Sequence, residues 1–140
     1  MKTWVHALVS SILAVIFYPI YSWKVLFILA GGILIDIDHY FWYVYKFKDL
    51  SLFRCYKYYI RGMNKEKIME YVGILLVFHT MEFLLVMLLL SFYNEFALIF
   101  TIGLLSHYLL DLIWQYNVAK CFIPSTSIIA RFIKNKSQKV

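Results

Sequence analysis

Side chains able to do chemistry stand here inside long apolar runs, where they are least expected. His6, His39, His79 and His107 fall one to a run, and Asp36, Asp38, Glu82 and Asp111 accompany them. His107 and Asp111 are four positions apart, Asp36 and His39 three, and His79 and Glu82 three. In helices, each of these pairs shares a face. Asp38 lies off the Asp36–His39 face and reads as a partner to a ligand or to a basic residue. An ionised aspartate at the centre of a membrane span costs about 2.5–3.5 kcal/mol. Such residues therefore mark a site or pathway and turn toward the bundle interior. Imidazole nitrogen combined with anionic oxygen suits a divalent metal, zinc first, with manganese or iron as alternatives. Two or three such ions can generate hydroxide near neutral pH.

The elements that must position these groups are helices, because apolar runs without period-2 alternation leave no other way to satisfy the backbone in lipid. Four spans are expected, at about 4–20, 25–45, 68–92 and 96–118. The expected fold is all-α: a polytopic membrane protein with a four-transmembrane-helix bundle over 1–118. A basic cytoplasmic tail follows over 119–140. Residues 46–67 mix Leu50, Leu52, Phe53, Tyr56, Tyr58, Tyr59 and Ile60 with basic residues, the pattern of an amphipathic segment lying on headgroups. A second such stretch runs from Ile128 to Ile133. Counted at about 1.5 Å per residue, Asp36, His39 and Asp111 lie roughly 9–14 Å from the cytoplasmic helix ends, and His79 and His107 roughly 16 Å. His6 is shallower. One layer of the cytoplasmic half thus collects them all.

Composition agrees with a bilayer as solvent. Of 140 residues 63% are hydrophobic, and mean hydropathy is +0.72, against about 45–50% apolar in soluble domains. A net charge of +6 could suggest nucleic acid, but the basic residues flank the apolar runs. With both termini cytoplasmic, 13 of the 14 Lys and Arg lie inside and Lys24 alone outside. The flank charge reads as a topology signal and a headgroup contact, and no nucleic-acid partner is expected. The first run lacks a small-residue cleavage site and reads as a retained span of a multi-pass inner or plasma membrane protein. Cys55 and Cys121, with no CxxC, read as free thiols. Gly31, Gly32 and Gly103 read as points of close helix packing.

The order His6, then Leu34-Ile35-Asp36-Ile37-Asp38-His39, then His79-Thr80, then Ser106-His107-Tyr108-Leu109-Leu110-Asp111 resembles the YdjM-like family of inner-membrane-associated, metal-dependent hydrolases. That family is distantly similar to zinc-dependent phospholipase C and single-strand nucleases. The resemblance covers about residues 4–115. It implies His6, Asp36, His39, His79, His107 and Asp111 as metal ligands. The chain departs from the family at the third motif, where Leu75-Leu76 replaces an upstream His-Arg. This implies either one metal fewer or compensation by Glu82.

The expected activity is hydrolysis of a phosphoester or lipid drawn from the cytoplasmic leaflet, by metal-activated water, with Asp38 or Glu82 as general base. A metal-ion carrier or channel component would use the same residues but continue its polar path across the bilayer. A non-catalytic scaffold would keep a structural metal.

Overall fold

In a computed structural model the structure describes residues 3–60, 76–119 and 127. Among them it is all-α, with no strand. The helices are α1 (Thr3–Tyr21), α2 (Leu26–Ile33), α3 (Ile37–Phe47), α4 (Leu52–Ile60), α5 (Met81–Ser91) and α6 (Glu95–Ala119).

Helix α1 ends two residues after Pro19, whose ring removes a backbone donor from the last turn. The chain then reverses at Ser22, which adopts φ 51°, and re-enters helix through a 3₁₀ turn, Ser22–Val25. Helix α2 runs back antiparallel to α1, so that Ser10 meets Gly32 across the hairpin. Helix α6 lies parallel to α2: Phe27 packs on Phe96 near one end, and His107 reaches Gly32 further along. Helix α5 returns antiparallel to α6, with Thr101 Oγ1 donating to Met87 O at 3.2 Å.

The seam between α2 and α6 is backbone against backbone. A Cβ at Gly31 would collide with the Phe100 carbonyl oxygen, and one at Gly103 with the Ile28 carbonyl oxygen. Glycine is what permits this approach. Around the seam sit two apolar clusters, one of Ala14, Val25, Ile28 and Ile99, the other of Ile35, Leu104 and Tyr108.

Helix α1 is inside out by the standards of a water-soluble helix. Its buried face carries His6, Ser10 and Ala14, while Leu8, Ile12, Val15, Ile16 and Ile20 are exposed. Two helical stretches, Thr3–Phe47 and Glu95–Val118, are long and apolar enough to cross a membrane. Four were expected, and the difference has physical causes. The first stretch holds two expected spans, because it folds back at Tyr21–Ser22. The third expected span is described only from Leu76. Its helix begins at Met81 and has 11 residues, about 16 Å against a hydrocarbon core of about 30 Å.

The expected amphipathic segment contains α4, which turns back beneath α3. Asp49 fastens this corner, taking hydrogen bonds from Tyr43 Oη at 2.9 Å, Ser51 N at 3.0 Å and Arg54 Nε at 2.6 Å. The Arg54 guanidinium holds the Asp49 carboxyl well below the usual carboxylate range. The amphipathic stretch expected at 128–133, and Cys121, lie outside the described residues.

Candidate metal centre

Each functional side chain is placed by a local feature of its helix. His6 lies on the buried face of α1, one turn before Ser10. His107 and Asp111 sit one turn apart on the unbroken α6, with Nε2 3.3 Å from Oδ2.

The second motif is placed by a helix break. Between α2 and α3 a 3₁₀ turn, Leu34–Asp36, interrupts the span, with Ile33 at φ −125° and ψ −50°. Asp38, expected off the Asp36–His39 face as a partner to a ligand or a basic residue, stands in α3 as a partner to two histidines, His39 and His79. Asp36 occupies the N-cap position of α3 but makes no side-chain cap bond, so its carboxylate is left for the cluster.

The third motif also departs from a continuous helix. Leu76–Thr80 is unwound, with a 3₁₀ turn at Val77–His79 and Thr80 extended at φ −90°, ψ 149°. Thr80 is the N-cap of α5, its Oγ1 accepting from Phe83 N at 3.2 Å. His79 therefore precedes the helix that carries Glu82, and the three-residue spacing between them does not put them on one face. Non-helical backbone in a protein interior persists where other groups satisfy its hydrogen bonds. Here Tyr108 Oη lies 3.0 Å from Phe78 O and 2.9 Å from Thr80 O, and Phe78 N donates to Asp38 Oδ2 at 3.2 Å.

These features bring all four histidines together with Asp36, Asp38 and Asp111. His79 Nε2, His107 Nε2 and Asp36 Oδ1 form a triangle with sides of 3.2, 3.5 and 3.6 Å. Ligands about 2.0–2.1 Å from a tetrahedral zinc stand about 3.4 Å apart, so the triangle has the dimensions of one tetrahedral face. A second group shares His107: Asp111 Oδ1 lies 3.3 Å from His6 Nε2, and the His6 and His107 rings stack with centroids 3.8 Å apart. Both His6 and His107 are about 1% exposed, and His6 Nδ1 is buried with no hydrogen-bond partner among the described residues. A third group comprises Asp38, His39 and His79.

Ring orientation is fixed from behind. His107 Nδ1 lies 2.9 Å from the Gly32 carbonyl oxygen, which can only accept, so the proton belongs on Nδ1 and the Nε2 lone pair faces the cluster. Asp38 holds His79 Nδ1 at 3.0 Å through Oδ2 and His39 Nδ1 at 3.0 Å through Oδ1. Both arrangements are those of outer partners to metal-ligating histidines. The donor set and its spacing fit a divalent cation, and these buried His and Asp groups can hold one.

Glu82 is not among the converging groups. Its carboxylate meets Ser127 Oγ at 2.5 Å. Three contributors were not singled out from the sequence: Tyr108, the Gly32 carbonyl, and Tyr59, whose hydroxyl donates to His39 O at 3.0 Å. Tyr108 had one signal, its place beside His107 in the fourth motif. Tyr59 had none. No family model, curated protein or solved structure matches this chain.

Proposed function

We propose that the protein is a membrane-embedded, metal-dependent hydrolase that acts on a phosphoester or lipid from the cytoplasmic leaflet. The carrying observation is the triangle of His79 Nε2, His107 Nε2 and Asp36 Oδ1. Two imidazole nitrogens and one carboxylate oxygen match the three protein ligands that catalytic zinc sites use, whereas structural sites are closed by four. Zinc is the cation that the donor set and the YdjM-like resemblance favour. When bound, it would supply a Lewis acid and lower the pKa of its water.

In this reading His79, His107 and Asp36 hold the cation, with His6 and Asp111 extending the donor set. Asp38 keeps the His79 and His39 rings in place, because both of its oxygens are committed to them. The side chains of Asp36, His39 and Asp111 are 22, 27 and 19% exposed, so water and substrate approach along them, while His6 and His107 close the inner wall.

The membrane reading rests on the exposed apolar belt of α1 and on similar exposed positions of α6, such as Leu105, Leu109 and Ile113. The helix directions alternate, so the proposal retains four crossings, with both termini and α4 on the cytoplasmic side. Lys24 pairs with Glu95 at the opposite end. A carrier needs access from both faces and polar groups along the whole path. The clustering of all four histidines at one level favours the enzyme.

The test is detergent-purified protein assayed against a panel of phosphodiesters and phospholipids. Hydrolysis lost with chelator and with Asp36→Asn is the expected result. Metal flux in reconstituted vesicles that Asp36→Asn abolishes, with no hydrolysis across the panel, would replace the enzyme by the carrier.

A further inference from the structure

We infer that Tyr108 is the positioning residue for His79, acting through the backbone of the unwound segment Leu76–Thr80. The inference rests on the metal-centre reading and adds a residue that holds a ligand without touching the cation. His79 is the one imidazole of the cluster carried on irregular backbone, since His6 and His107 lie in α1 and α6 and His39 in α3. The other three are carried on helices. At His79 the backbone bonds within the turn are the 3₁₀ contacts His79 N to Leu76 O at 3.1 Å and Thr80 N to Val77 O at 3.3 Å, weaker than α-helix. Thr80 Oγ1 to Val77 O at 2.9 Å and Phe78 N to Asp38 Oδ2 at 3.2 Å add to them.

Tyr108 ties the turn to α6. Its hydroxyl stands between the carbonyls on either side of His79, 3.0 Å from Phe78 O and 2.9 Å from Thr80 O. The side chain is buried, 9% exposed, and packs with Ile35 and Leu104. A single proton shared by two carbonyls brackets the His79 peptide from both sides. Tyr108 also follows His107 in α6, and His107 Nε2 is 3.2 Å from His79 Nε2. One turn of one helix thus carries a ligand and the clamp on the ligand opposite it. The side of the triangle between the two imidazoles draws on α6 at both ends, with Asp38 holding the His79 ring from α3 and the Gly32 carbonyl holding the His107 ring from α2.

Tyr108→Phe keeps the ring and its packing and removes only the hydroxyl. Two measurements on purified full-length protein separate its roles. The first is zinc affinity by competition with a chromogenic chelator, with the imidazole count on bound cobalt(II) read from its spectrum. We expect affinity to fall about 10- to 100-fold, the usual effect of losing an outer partner, with one fewer imidazole bound. The second is hydrogen exchange in the metal-free protein. We expect faster exchange at Phe78–Thr80, while α6 keeps its protection. Zinc affinity and cobalt spectrum equal to wild type would overturn the inference. So would unchanged exchange at Phe78–Thr80, or exchange that rises equally throughout α6, which would make Tyr108 a packing residue only. Wild-type protein that binds neither metal would fail the metal-centre reading instead, and the exchange measurement would still decide whether Tyr108 clamps the His79 segment.

Discussion

The His107 ring is tied to the backbone of another helix: its Nδ1 lies 2.9 Å from the carbonyl oxygen of Gly32. That bond exists because α2 and α6 approach through glycines, and it selects the tautomer whose Nε2 faces the other donors. Gly32 is also closed on its other side, where an added Cβ would collide with Ser10 Oγ. Gly32→Ala is expected to destabilise the protein by about 1–3 kcal/mol, the usual cost of overpacking, and to lower metal content with it. Ser10→Gly in the same chain removes the obstructing atoms and should restore much of both. Thermal unfolding and metal analysis of the two variants check this, and an unchanged Gly32→Ala protein would contradict the packing.

Purified protein should retain at least one transition metal per chain. His107→Ala or Asp111→Ala should lower that content markedly. Each removes one donor and leaves its partner buried without its compensating group. Metal content and thermal stability both unchanged in the double variant would contradict a shared site.

Asp38→Asn tests orientation rather than ligation. The amide is nearly isosteric but cannot accept at both oxygen positions, so one of its two histidine contacts is lost. Zinc affinity should fall about 10- to 100-fold, by less than the loss in Asp36→Asn. Equal losses in the two variants would place Asp38 among the ligands themselves.

Cys55 provides a pH-dependent test of the α4 corner. It is 6% exposed, and burial pushes its thiol up to about 11. The thiolate is the reacting species. Alkylation of Cys55 in folded protein should therefore be slow at pH 7 and rise with pH until about 11, the folded-state value. Rapid alkylation at pH 7 would mean that α4 does not pack as described.

Topology is better tested at exposed positions than at Cys55. With both native cysteines replaced by serine, Tyr93→Cys should react with an impermeant thiol reagent in intact cells. Tyr93 is 90% exposed at the turn between α5 and α6. Lys57→Cys, on α4, should react only after the membrane is opened. The reverse pattern would invert the orientation.

The all-α character and the gathering of histidines with carboxylates were legible in the sequence for a definite reason. His107 and Asp111 lie on one uninterrupted helix, where spacing translates directly into geometry. The same rule failed where the helix is broken. The extended Thr80 separated His79 from Glu82. Leu76–Thr80 carries neither proline nor glycine, so no local signal announced that break. The Tyr108 contacts join residues 28 and 30 positions apart, and no periodicity could expose them. Two helical stretches, where four spans were expected, are long and apolar enough to cross a membrane, for a related reason: hydropathy marks apolar runs and is blind to where within them the backbone unwinds.

The convergence of all four histidines has a practical consequence. The chain has four in total, so every imidazole resonance in a selectively labelled, untagged sample originates at this cluster. Histidine-selective chemical modification would likewise strike this cluster alone. The protein therefore carries its own site-specific probe, and titration with any cation or substrate analogue can be followed without introducing a reporter.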